Sequence, residues 1–329
     1  MNIEAIDSAY EYCQQVCRNS STNFFSSFST LELKKRRAVH AVYALCRWVD
    51  DIVDGDEEPV VIITKDLVKQ SEERDELLRE IHSRNQPSNS VAIHMQRLMA
   101  LVSIRNNLKR ASLGQITTDD QPVFIALQDV FSKYPIRMQD FETVIEGMED
   151  DLFPVEYNTW DELRSYCYKV ASAVGLILIE IYGYDDRGAR LHAIDLGIQM
   201  QLINVLRDVA EDLERGRVYL PKEVLLSHNI DVTDLAKPSL ALNPSWNDFV
   251  KEYLEVVRRH QVSAMHLFDY LDARSRVQPK IMLNAYAKIF HEITRRSGDV
   301  LTGPLKLSIR SKIALWIKIN YMKLKARMA

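Results

Sequence analysis

Apolar positions along this chain recur three and four residues apart rather than in alternation. "LELKKRRAVHAVYALCRWVDDIVD" (31–54) contains no Gly or Pro and repeats at helical spacing. It predicts a helix capped by Ser29 and Thr30 and ended by Gly55. The same periodicity predicts helices over 65–83, 91–110, 123–134 and 138–150, the last two separated by Pro135. "WDELRSYCYKVASAVGLILIEIYG" (160–183) predicts one strongly apolar helix with small residues at its centre. Residues 187–215 predict one long helix, and 246–273 and 279–296 two more. "RNQPSNS", "LGQITTDDQP" and "KPSLALNPS" read as loops. No stretch of any length reads as a strand and no internal repeat is present, so the expectation is an all-α bundle forming a single domain over 1–329.

Composition narrows this reading. With 329 residues and 47% hydrophobic, the chain can bury a large core, and only 10 Gly and 10 Pro favour long helices. A net charge of -4 gives no sign of nucleic-acid binding. Four cysteines, Cys13, Cys17, Cys46 and Cys167, form no disulfide framework and fit a reducing compartment. "MNIEAIDSAYEYCQQV" lacks the basic leader and apolar run of a signal peptide, and no window offers the ~18 apolar residues a bilayer span needs. The expectation is a cytoplasmic protein. Residues 305–329 form a basic amphipathic segment with Trp316, Ile317, Ile319 and Tyr321 among lysines. That segment reads either as a last bundle helix or as a peripheral membrane contact.

The charges inside the apolar helices carry the chemistry. At about 100° per residue, Tyr43, Arg47, Asp50 and Asp54 fall on one stripe about 60° wide, with Asp51 at its margin. Gln201, Asn204, Asp208 and Asp212 fall on a second stripe about 80° wide, with Glu211 close by. Leu202, Ile203, Leu206, Val209 and Leu213 cover much of the remaining circumference, which predicts a mostly buried helix. Aligned carboxylates repel and need water, cations or basic groups to neutralise them. Asp and Asn oxygens without His or Cys suit Mg²⁺, which keeps few protein ligands and adds substrate phosphate. Two such stripes, with Arg47 and Arg207 near them, point to magnesium–diphosphate chemistry. Taken singly, each stripe also reads as a solvated helix face.

"YALCRWVDDIVD" together with "QLINVLRDVAEDLERGRVYLP" resembles the squalene/phytoene synthase family, the head-to-head prenyl transferases. "SSTNFF" (20–25) and "YCYKVASAVG" (166–175) resemble further segments of that family, and "GMEDDL" (147–152) resembles one common in phytoene synthases. The resemblance covers roughly 10–54 and 135–300, whereas about 56–125 carries no family signature. It implies an all-α isoprenoid synthase fold around a central active-site cavity. It also implies Asp50, Asp54, Asn204, Asp208 and Asp212 as ligands of two or three Mg²⁺ ions, and Ser21, Arg47 and Arg207 as diphosphate contacts. Tyr43, Gln201 and Tyr286 match residues lining the active centre, and Phe24 an aromatic contact with a prenyl chain. Asp151 matches the acid of the "GMEDDL" segment. Arg217 in "RGRVYLP" is either a phosphate contact or a loop anchor.

The implied reaction ionises one allylic diphosphate, couples the cation to a second prenyl diphosphate and passes through a cyclopropylcarbinyl diphosphate. Two geranylgeranyl diphosphates give phytoene; two farnesyl diphosphates give presqualene diphosphate, squalene or dehydrosqualene, with NADPH needed only for squalene. "GMEDDL" and "RGRVYLP" lean to phytoene. A non-catalytic helical scaffold is a further reading, opposed by the aligned carboxylates. A terpene cyclase is disfavoured by the QxxNxxxDxxxD pattern of the second motif.

Overall fold

The computed structural model describes residues 1–20, 22–59, 61–82, 90–154, 156–303 and 305, with side chains except at 22–24 and 82. The described chain is helical, and its only strand-like pairings are two isolated bridges, Glu156 with Val218 and Tyr184 with Leu271. Its contacts divide it into two compact units, Met1–Pro154 and Val155–Ala329.

The first unit contains α1 (Ile3–Ser20), α2 (Thr22–Phe28), α3 (Leu33–Asp54), α4 (Lys65–His82), α5 (Val91–Ser112), α6 (Pro122–Lys133) and α7 (Met138–Asp150). Local chemistry sets several of these starts. The Asn2 side chain accepts from the Ala5 amide (2.8 Å), Ser90 accepts from the Ile93 amide, and Pro122 occupies the first turn of α6. α3 departs from the expected cap: Glu32 precedes it without a side-chain bond, while Ser29 and Thr30 donate to the Ser26 and Ser27 carbonyls and close α2 instead. Its other end is as expected, with Gly55 at φ 83°. α3 lies against α1, α5, α6 and α7, and Val39, Val42, Leu45, Val49 and Ile52 are buried there. Burying a side chain of this size is worth roughly 1.5–3 kcal/mol, so the α3 core face fixes the orientation of its polar stripe.

The second unit contains α8 (Trp160–Cys167), a π-helical turn (Tyr168–Ser172), α9 (Ala173–Tyr182), α10 (Ala189–Arg207), α11 (Val209–Glu214), α12 (Lys222–Ser227), α13 (Pro244–Tyr270) and α14 (Val277–Arg295). Thr159 and Glu162 form a capping box at α8, and Asn243 with Pro244 starts α13. α10 packs on α13, α9, α14 and the π-turn, and the Tyr253 hydroxyl on α13 donates to the Leu202 carbonyl at 3.0 Å.

Three expectations are corrected. The apolar run 160–183 is interrupted by the π-turn, and the run 187–215 breaks at Asp208. Trp160–Tyr182 is also long and apolar enough to cross a membrane, with a mean hydropathy of 1.2 in its best window. Isolated charges such as Lys169 hide this in a count of consecutive apolar residues, but half of that window is buried inside the protein, as in a core helix. Apart from Leu305, the helix expected over 305–329 lies outside the described residues.

Candidate active site

In the first unit, α3 carries Tyr43, Arg47, Asp50, Asp51 and Asp54 on the predicted side, away from its buried face. Arg47 reaches the marginal acid rather than the central pair. Its Nε donates to Asp51 Oδ2 (3.1 Å), its Nη2 pairs with the same carboxylate, and Asp56 stands 3.7 Å away. Asp50 is open to solvent, yet loss of hydration, then the Asp54 charge, push its carboxyl up to about 7, with Arg47 opposing and Asp151 adding to the rise. An accessible carboxylate that is still strongly desolvated belongs on a concave wall. Tyr43 is half-buried, edge-on to Phe28 with the ring centroids 5.9 Å apart.

The end of this stripe is fastened by a residue that sequence reading missed. Arg97 on α5 donates through Nη1 to the Val53 carbonyl at 2.8 Å, placing a cation at the negative end of α3. A Cβ at Gly55 would meet the tip of the same guanidinium, which can swing aside, so it is the positive φ that requires glycine here. No local pattern marks Arg97, because its partner is a backbone carbonyl 44 residues earlier.

In the second unit, the structure joins Gln201, Asn204, Arg207, Asp208 and Tyr286 by direct bonds. Asn204 Nδ2 donates to Gln201 Oε1 at 3.2 Å. Arg207 Nε donates to Asp208 Oδ1 at 2.7 Å, and its Nη2 pairs with Oδ2. Burial pushes the Tyr286 phenol up, while the Arg207 charge and hydrogen bonds with Asn204 and Arg207 oppose the rise. Neighbours in sequence do not face each other on an α-helix. The Arg207–Asp208 pair exists because α10 ends there, with Asp208 at φ -101° and ψ 10°. Past the break the register is kept: the Asp212 amide bonds the Asp208 carbonyl (2.9 Å), and the Arg217 amide bonds the Asp212 carbonyl (2.8 Å). Arg207 and Asp208 also line a cavity of about 610 Å³ with Glu211, Glu214, Arg215 and residues 300–303.

"RGRVYLP" is held by aromatic packing, with Tyr219 stacked on Tyr166 at 4.9 Å and Tyr157 near both rings. Ser21 and the side chain of Phe24 lie outside the described residues.

A divalent cation fits what is present. The Asn204 Oδ1 atom is buried and has no partner among the described residues, leaving a hard oxygen ready to ligate. On α3, Asp50 is destabilised by the carboxylates around it, and a cation relieves that repulsion. Among the described residues no three His, Cys, Asp or Glu side chains converge on one point. That arrangement suits an ion held by few protein ligands and completed by water and phosphate.

Comparison with known proteins agrees with this chemistry. The squalene/phytoene synthase family model matches residues 17–311. The chain is 30% identical to a 15-cis-phytoene synthase of Synechococcus elongatus over 96% of this chain and 92% of that one. It is 29% identical to phytoene synthase 2, chloroplastic, of Solanum lycopersicum over 98% and 93%. A ligand-bound dehydrosqualene synthase structure superposes with a TM-score of 0.74 at 23% identity, covering 97% of each chain. A squalene synthase from Alicyclobacillus acidocaldarius superposes at 0.72 and 21% identity, covering 90% of this chain and 97% of that one. These two structures have the same all-α isoprenoid synthase fold. The matched region contains both aspartate stripes, and on that evidence this chain belongs to the squalene/phytoene synthase family of prenyl transferases.

Proposed function

We propose that the protein condenses two geranylgeranyl diphosphates head to head to phytoene. The observation that carries this is its similarity, along nearly its whole length, to proteins named phytoene synthases. The thirty-carbon reading draws on structures below 25% identity, which speak for the fold alone. Asp50, Asp54, Asn204, Asp208 and Asp212 are assigned to hold Mg²⁺, with two or three ions in use. Bound magnesium supplies charge neutralisation for the departing diphosphate.

The chain's own groups have distinct tasks. Arg47 and Arg207 are the cations assigned to the diphosphates, and each is held by a neighbouring acid until a phosphate competes for it. Tyr43 and Tyr286 present aromatic faces that stabilise an allylic cation. Apolar helix surfaces exclude the water that would quench it. Along the π-turn and α9, Val170, Ala171, Val174 and Gly175 are partly exposed and small enough for a prenyl chain to lie near the backbone, while Ala173 is buried. The second prenyl double bond attacks the cation, and loss of a proton closes the ring of the cyclopropylcarbinyl diphosphate. Departure of the second diphosphate, rearrangement and loss of a second proton give the linear product with its central conjugated triene, with no reductant consumed.

The test is product analysis of the purified protein with Mg²⁺ and either geranylgeranyl or farnesyl diphosphate, with and without NADPH. Phytoene is expected from the longer substrate without NADPH. Turnover of farnesyl diphosphate alone, to a thirty-carbon product, would reject the assignment.

A further inference from the structure

The stretch 56–125 lies outside both aspartate motifs, yet two of its arginines reach the acid-rich end of α7. Glu149 is completely buried. Its Oε2 accepts from Arg74 Nε (3.0 Å), Arg74 Nη2 and Arg105 Nη2 (3.0 Å), and Arg105 Nη1 stands 2.9 Å from Oε1. Arg74 comes from α4 and Arg105 from α5, so three helices meet on one carboxylate. The next two residues, Asp150 and Asp151, are also buried acids. The turn that carries them is closed by the Leu152 amide on the Glu149 carbonyl (3.1 Å) and the Phe153 amide on the Asp150 carbonyl (3.3 Å).

A buried Arg–Glu–Arg set is a poor source of stability, because apolar residues of similar volume do as well or better. What it supplies is geometry and charge. Two guanidinium groups arriving from two helices fix the height and the rotation of the end of α7, so holding Glu149 also fixes Asp150 and Asp151. Two guanidinium groups on one carboxylate leave a surplus positive charge, and Arg74 feels Glu146 and Asp150 as well. α7 packs on α3, and the charge of Asp151 acts on Asp50.

We propose that Arg74, Glu149 and Arg105 are positioning residues for the first carboxylate stripe: they fix the end of α7 so that Asp151 adds its charge to Asp50 and Asp54, and thereby set the affinity of that stripe for a divalent cation. The proposal rests on the reading of Asp50 and Asp54 as cation ligands. It gives Glu149→Gln a definite sign. Once the Glu149 charge is gone, the two guanidinium groups turn to the next carboxylates, Asp150 and Asp151, and withdraw negative charge from the stripe.

The test titrates full-length protein with Mn²⁺ by electron paramagnetic resonance, without prenyl diphosphate, and records the Mg²⁺ half-saturation of turnover alongside. Glu149→Gln is expected to weaken Mn²⁺ binding and raise the Mg²⁺ requirement about tenfold, the low end for groups behind a metal ligand, with kcat at saturating Mg²⁺ within about threefold. A merely structural triad lowers the melting temperature and leaves Mn²⁺ affinity unchanged, and that result in folded Glu149→Gln overturns the proposal. If Glu149→Gln does not fold, Arg105→Lys decides by the same readout, since it keeps the charge and loses the fork. Weaker Mn²⁺ binding supports the positioning role, and wild-type binding overturns it. Absence of Mn²⁺ binding in the wild-type protein would instead reject the ligand reading of the stripe, and the positioning role with it.

Discussion

His40 lies on α3 three residues before Tyr43, only 2% exposed, stacked 5.5 Å from Phe25 and edge-on to Phe28 at 5.7 Å. Neither ring nitrogen has a partner among the described residues. Burial, then the Arg36 charge, push this imidazole down to about 4 from an ordinary 6.5. The folded state therefore binds its proton less readily than the unfolded chain. This term destabilises the fold progressively as pH falls from 6.5 towards 4 and vanishes above that window. His40→Phe is expected to flatten the wild-type loss of stability between pH 6.5 and 4 in urea titrations, and to be no less stable at pH 7. Parallel curves for the two proteins would contradict it. Residue types on the stripes were legible in the sequence, but not every pairing was. Arg47 and Asp51 stand four apart on an unbroken helix, so spacing allows that pair, whereas nothing in the spacing hints that Arg207 turns onto its own neighbour. The second pairing depends on a backbone break that a helical wheel does not contain.

The π-turn between α8 and α9 shows the same limit in a whole element. Apolar periodicity runs through 160–183 without interruption, and one inserted residue in a helix leaves no mark on composition. The cause lies on α10. A Cβ at Gly197 would come 2.5 Å from Ser172 Cα and 2.6 Å from Ser172 N, so the two backbones touch where the turn widens. Ser172 Oγ donates to the Ile194 carbonyl at 2.7 Å and locks the contact. Gly197→Ala must push α10 away from backbone rather than from a flexible side chain. The expected cost is about 1–3 kcal/mol in chemical denaturation. Because α10 also carries Gln201, Asn204 and Arg207, turnover should fall with it; an alanine variant of unchanged stability would show that the helices have room. The longer elements from α3 onwards were otherwise marked, whereas α1, α2 and α12 were not read from the sequence. α6 and α7 end within a residue of their predicted limits, because Pro122 starts one and Pro135 separates them.

Over the whole molecule, the two acidic stripes were visible in sequence because each sits in an otherwise apolar helix, where carboxylates must have a reason. The groups that hold them were not visible: Arg97, Arg74 and Arg105 act on α3 and α7 from 44 to 75 residues away. Each compact unit holds one stripe, Asp50 and Asp54 in the first and Asp208 and Asp212 in the second. If both serve the same reaction, binding must be visible in the stability of the whole chain. A ligand at a hundred times its Kd stabilises by about 2.7 kcal/mol, which raises the melting temperature by about 4 °C for a chain of this length unfolding in one step. Diphosphate and Mg²⁺ together should produce that shift in calorimetry, and each alone a smaller one, because phosphate oxygens complete the magnesium shell and magnesium draws the diphosphate to the aspartates. Asp50→Asn and Asp208→Asn should each remove most of it, although they lie in different units. A full shift in either variant would show that its stripe takes no part in holding the ions.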